Sequence, residues 1–260
     1  QGNLSGTRRF STFPRRARAP ISASMDIQDP RSFLYRPGQL DPETASRVTG
    51  EVLGQCDDGE LYLQYSASES FVFDDGRLKV ADYNMDSGFG LRGLSGEMTG
   101  FAHANEISEA AIRRASETLK LIEPTKSPMA APPRHNNRHL YTGDNPLDAV
   151  PFEKKAALCA EIDAAARARD PRVAQVSVGL SGSWSVVEIV RPDGFVATDI
   201  RPLVRLNVSI VAEENGRRET GSFGLGGRYL YGRLFEKAEW ERAIDTALEQ
   251  ALVNLRSVAA

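Results

Sequence analysis

The chain has 260 residues, 41% hydrophobic and 26% charged, with 32 basic against 35 acidic side chains and a net charge of −3. It can bury a real core as one large domain or two modest ones. The charge balance gives no global pull toward nucleic acid, and no apolar run approaches the ~20 residues of a membrane helix, so neither partner is expected.

The first 24 residues stand apart. They carry five arginines (Arg8, Arg9, Arg15, Arg16, Arg18), many Ser and Thr, and no acid. This is the composition of an organelle transit peptide. The competing reading, preferred here, is upstream sequence before an ordinary start at Met25, which makes the protein cytoplasmic. Either way residues 1–24 are expected to be disordered and to take no part in the fold.

Residues 25–122 read as a first α+β lobe. Asp41 as N-cap, Pro42 at the first helical position and Leu40 as a staple open a helix. Its buried face is Ala45, Val48 and Val52, and Gly54 ends it. Short strands follow, beginning with Glu60–Tyr65, where Leu61, Leu63 and Tyr65 alternate against Glu60, Tyr62 and Gln64. Asp75-Gly76 is a hairpin turn needing positive φ, and Arg77–Asp82 and Gly90–Leu94 continue the sheet. Ser108 caps a helix predicted to reach about Ile122, with Ile112, Ala115 and Leu119 inward.

Residues 123–150 hold Pro124, Pro128, Pro132, Pro133 and Pro146 and read as a connector. A helix is predicted from near Pro151 to about Arg169, with Leu158, Ile162 and Ala165 inward. Then the first lobe's order returns: strands Val173–Leu180 and Ser185–Val190, an Asp193-Gly194 turn, the alternating strand Leu203–Val211, a second turn, and a helix buried through Trp240, Ile244, Ala247, Ala251 and Leu255. Such self-similarity is the strongest clue to architecture. The fold class is α+β: two related lobes, 25–122 and 151–260, each an antiparallel β-sheet backed by helices. Cys56 and Cys159, each in a segment predicted helical, read as two reduced, buried thiols rather than a disulfide.

Signals for chemistry are few. Gly88–Gly93 spells GxGxxG, but a strand follows it where a phosphate site needs a helix N-terminus, so tight strand packing explains it better. His135 and His139 stand four apart beside Pro132-Pro133, which argues for a loop over a metal-binding helix, and His103 lies in another lobe. Ser181-Gly182-Ser183 has no identifiable histidine relay. Gly221, Gly224, Gly226 and Gly227, followed by Arg228, read as a loop: either one allowing close backbone approach to a ligand or partner, or a mobile connector between strand and helix.

The strings ELYLQYSASESFVFDDGRLKVADYNMDSGFGLRGLSGEMTGFAHANEIS and DIRPLVRLNVSIVAEENGRRETGSFGLGGRYLY, with the ending ALEQALVNLRSVAA, resemble the N-terminal half of the TldD/PmbA metalloprotease family, over about residues 33–260. The resemblance implies a zinc-dependent peptidase acting on unfolded or short peptides, working as a heterodimer with a TldE (PmbA)-like paralogue. The family's zinc ligands come from an HExxxH helix and a later cysteine in its C-terminal half. No HExxxH occurs in this sequence, so no ligand carries over to a residue here. The chain is therefore expected to be a fragment that is inactive and binds no zinc by itself. Its part would be to supply cleft walls and a partner surface, with Gly224, Gly226, Gly227 and Arg228 as candidate peptide- or partner-binding residues. The alternative is a non-catalytic peptide-binding or assembly module.

Overall fold

The computed structural model describes residues 29–121, 131 and 140–258. The expectations for residues 1–24, for Ile122, for His135 and His139, and for most of the connector lie outside the described residues.

Helix α1 (Pro42–Leu53) begins where the sequence places it. Asp41 is extended at φ −123°, its carboxylate accepts the Thr44 N–H at 2.9 Å, and Pro42 occupies the first turn. Ala45, Val48 and Leu53 are buried and Val52 is half-buried. Cys56 falls beyond the helix end, in a turn rather than in a helix, whereas Cys159 is buried inside α3; both thiols are free.

The strands are longer than their hydrophobic runs. β1 (Asp58–Asp74), β2 (Arg77–Ser95) and β3 (Met98–Ala104) form one meander, and β4 (Val173–Val190), β5 (Val196–Glu214) and β6 (Arg217–Gly227) form the other. Where two short strands are predicted before each Asp-Gly turn, each half has a single long one. The Ser-rich centre of β1 keeps period two without a break, sending Ala67 and Glu69 inward and Ser66, Ser68 and Ser70 outward. Asp75 (φ 50°) and Gly76 (φ 75°) make the tight β1–β2 turn. Asp193-Gly194 stands at the matching first hairpin of the second half, inside a longer loop with only Gly194 at positive φ.

All six strands join in one antiparallel sheet of order β3-β2-β1-β4-β5-β6. The halves meet where β1 pairs with β4, from Leu61 opposite Val190 to Asp74 opposite Ser177. That pairing relates the two meanders by an approximate dyad through the sheet. Helices α1, α2 (Glu109–Ser116), α3 (Phe152–Arg169) and α4 (Lys237–Arg256) bury one face. Capped by Ser108, α2 is shorter than predicted and gives way to a 3-10 turn, Glu117–Leu121.

The core has two main clusters on that one face. In the first, Leu61, Leu63, Tyr65, Leu91 and Trp184 pack with α1 and α2; in the second, Val178, Leu180, Leu206, Val208 and Ile210 pack with α3 and α4. Between them Lys155, 1% exposed, and Glu69, 9% exposed, form a buried ion pair at 2.5 Å. A segment preceding α1 is pinned to the same face. Arg31 donates to the fully buried Glu188 carboxylate at 2.6 and 3.1 Å, Tyr35 donates to it as well, and Phe33 stacks on Tyr65 at 4.6 Å.

Candidate functional site

The second face of the sheet is unlike the first. Along β1 it shows Glu60, Tyr62, Gln64, Ser66, Ser68 and Ser70, half exposed. Along β4 it shows Ser177, Gly179, Ser181, Ser183 and Ser185. The Ser66 and Ser185 hydroxyls meet at 2.9 Å across the β1–β4 seam. The backbone groups of β1 and β4 are spent on their neighbours in the ladder, so what this face presents is hydroxyl groups and the room that small side chains leave. Two clefts flank it.

One cleft, of about 430 Å³, lies at the β5–β6 end and includes Gly224, Gly226 and Gly227 together with Leu203, Arg205 and Arg242. The run Gly221–Gly227 is not the loop expected from its glycines: it is the edge strand β6, with Gly224 opposite Asn207 and Gly226 opposite Arg205. Its glycines answer to packing. A Cβ on Gly224 would meet Asn207 Oδ1 at 2.6 Å and Arg205 Nη2 at 2.9 Å, one on Gly226 would strike the Val204 carbonyl, and one on Gly227 the Tyr229 ring. Arg228, just past the strand, stacks its guanidinium on Tyr141 at 4.9 Å, and the Tyr141 hydroxyl donates to Asp199 at 2.9 Å. The structure thus gathers the three glycines around the cleft and sets Arg228 on an aromatic ring beside it.

The other cleft, of about 360 Å³, sits on β1, β2 and β3, and sequence reasoning did not find it. Gly88 and Gly90 form its floor, with Tyr62, Arg92, Phe101 and His103 around them. Two glycines at i and i+2 lie on one face of a strand and leave a trench there. The Phe101 ring lies over Gly90, where a Cβ would come within 3.1 Å of it. That spacing, inside the GxGxxG string, was the available signal. The string itself forms part of β2, so the reading as strand packing agrees with the structure.

Titration is perturbed in the core as well as in the surface ion pairs. Burial pushes the Cys159 thiol up to about 12, which leaves it unreactive. Burial also raises the Tyr231 phenol, whose ring lies 4.8 Å from the Lys155 ammonium. Among the described residues no three His, Cys, Asp or Glu side chains gather to hold a metal ion. Nor is any described helix long and apolar enough to cross a membrane.

Comparison with known proteins sets this geometry in context. Residues 59–122 match the family description PmbA/TldA metallopeptidase domain 1, and residues 145–255 match PmbA/TldA metallopeptidase central domain. Together these spans take in about two thirds of the chain. A protein of Haemophilus influenzae named Metalloprotease TldD homolog is 42% identical over 236 residues, 87% of this chain and 49% of that protein. One of the same name from Buchnera aphidicola subsp. Schizaphis graminum is 38% identical over 77% of this chain and 43% of its own length. The chain spans about half the length of these relatives. The crystal structure of TldE from Thermococcus kodakarensis superposes with a TM-score of 0.64 at 15% identity, covering 80% of this chain and 47% of that one, and so shares the fold. On these matches, the chain belongs to the PmbA/TldD metallopeptidase family.

Proposed function

We propose that this chain is the N-terminal part of a TldD-like zinc metallopeptidase that cleaves unfolded or short peptides. In that enzyme its sheet supplies a wall of the peptide cleft and a surface for a TldE (PmbA)-like partner in a heterodimer. The observation that carries the reading is the match of two successive spans to metallopeptidase domains, in a chain about half as long as its metalloprotease-named relatives. The Ser- and Gly-lined face supports it, because small side chains leave room for an extended chain and their hydroxyls can meet its backbone groups.

Zinc has no fitting donor set among the described residues, and no chemical step is assigned to them. Their share is to bind and orient. Leu203 and Arg205 border the cleft at Gly224, Gly226 and Gly227, with Arg228 beside it, and Arg228 offers a charge-assisted contact to a peptide carboxylate.

The test is a chimera in which this chain replaces the matching half of the Haemophilus influenzae relative. Peptide hydrolysis by the chimera, absent from the 260-residue chain alone, is the expected result. A folded, metal-loaded chimera without turnover would instead favour a stand-alone binding or assembly module. Glycine replacement at Gly226 is a poor probe, since a Cβ there collides with backbone and tests folding. Arg228→Gln and Leu203→Ser change side chains rather than the ladder. They are expected to lower turnover or dimer formation while metal content stays constant.

A further inference from the structure

The cleft at the β5–β6 end carries an excess of positive charge. Three guanidiniums line it, Arg205 on β5, Arg233 in the 3-10 turn Tyr231–Phe235 and Arg242 on α4, against one carboxylate, Glu239. Glu239 is shared, lying 2.6 Å from Arg242 and 3.6 Å from Arg233. Among the described residues Arg205 has no acidic partner, its Nε donating to the neutral Asn207 Oδ1 at 2.9 Å. All three side chains are held in place. Arg233 stacks on Tyr229 at 5.2 Å and Arg242 on Phe223 at 5.6 Å, while Arg205 lies over Gly224, where a Cβ would come within 2.9 Å of its Nη2. Stacking and close fit orient a guanidinium without neutralising its charge.

The edge of β6 adds donors between them. Ser222 turns its N–H outward to Gln250 Oε1 of α4 at 2.8 Å, and the strand's period of two turns the N–H groups of Gly224 and Gly226 outward as well. Among the described residues neither has an acceptor, and neither position has a side chain to cover it. Arg205 lies on the serine-bearing face of the sheet, whereas Phe223, under Arg242, packs into the helix-covered face. Donors therefore converge on the cleft from both faces of the strand and from its edge. A carboxylate is planar, carries one charge and satisfies donors near its own plane. A phosphate group presents its oxygens in tetrahedral directions and carries about −1.5 to −2 at neutral pH, which answers three guanidiniums set against one carboxylate.

We infer that the cleft at Arg205, Arg233 and Arg242 binds a phosphate group, as a free phosphate ion or as the phosphate monoester of a small molecule, with a glycine N–H of the β6 edge as a further donor. The assignment concerns the cleft described above but does not depend on its binding a peptide.

The isotope-labelled 260-residue chain is titrated with inorganic phosphate at neutral pH and constant ionic strength, and amide NMR spectra follow the Gly224 and Gly226 N–H groups. Methyl phosphate replaces phosphate in a second series, and malonate, a planar-carboxylate dianion, in a third. Saturable shifts of at least one of the two glycine amides are expected, with Kd below about 5 mM. Arg205→Gln and Arg242→Gln should each weaken binding about fivefold. Arg218→Gln, at the far end of β6 beside Glu213, should leave it unchanged. Methyl phosphate binding at least as tightly as phosphate assigns the site to a monoester, and weaker binding assigns it to the free ion. Malonate binding as tightly as phosphate overturns the phosphate assignment. Equal losses in Arg218→Gln and Arg205→Gln reduce the effect to net charge and overturn the site, as does the lack of saturable shifts at both glycines by about 50 mM. None of these outcomes bears on the peptide-binding role, which the chimera tests.

Discussion

Lys155 offers the sharpest test of how the two halves are held together. Its ammonium donates to Glu69 Oε1 at 2.5 Å and to the Leu147 carbonyl at 2.7 Å, and lies over the Tyr231 ring. Lys155 comes from α3, Glu69 from the centre of β1 and Leu147 from the connector, so one charge ties three segments. Lys155→Met keeps most of the volume but leaves a buried carboxylate without its cation and a carbonyl without its donor. Breaking a buried pair from one side costs about 3–5 kcal/mol, which for a chain of this size lowers Tm by roughly 10 °C. Combining Glu69→Leu with Lys155→Met removes both charges, and stability is expected to return to within about 1–2 kcal/mol of the parent. Urea unfolding followed by circular dichroism measures all four corners of the cycle. A single-mutant loss under about 1 kcal/mol, or a double mutant as unstable as the sum of its parents, would show that the pair is not buried and coupled as described.

Two further outcomes are expected. Gly221→Ala should destabilise by about 1–3 kcal/mol, because the added Cβ meets the backbone of α4, Ala251 N at 2.5 Å among it. Gly179→Ala, whose nearest neighbour is 3.9 Å away, should be nearly neutral, and equal melting shifts for the two would refute the packing argument. Hydrogen bonds from the Arg172 side chain and then its backbone N–H hold the Asp170 carboxyl down to about 2. A lowered carboxyl pKa contributes stability above the unfolded value near ~4 and loses it as pH falls toward 2. The Tm gap between the parent and Asp170→Asn should therefore be full at pH 6 and close between about pH 4 and pH 2; a gap constant across that range counts against the assignment.

Much of the fold was legible in the residues. The cap at Asp41-Pro42, the Asp75-Gly76 turn and the inward stripe of Trp240, Ile244, Ala247, Ala251 and Leu255 all stand where local chemistry puts them. The strand Leu203–Val211 divides as its alternation requires, Val204, Leu206, Val208 and Ile210 inward and Arg205, Asn207 and Ser209 outward. Strand length was less legible. Serine has low strand propensity and no hydrophobic signal, so the centre of β1 looked like a gap until its neighbours β2 and β4 were paired to it.

The sequence alone therefore determined what depends on near neighbours: caps, turns, periodicity, the repeated order of elements, and the family likeness those strings carry. Tertiary structure decided what depends on distant partners. The Gly221–Gly227 run became a strand because β5 supplied its ladder and α4 lay close against it, neither of which its glycines announce. Gly88 and Gly90 came to line a cleft only once another strand brought Phe101 over Gly90 and Ala104 against Gly88. Glu69 and Lys155, 86 positions apart, were two ordinary charges in the sequence. Their burial as a pair is a property of the sheet and the helix that close over them, because desolvation is set by the whole fold and not by a residue's neighbours along the chain.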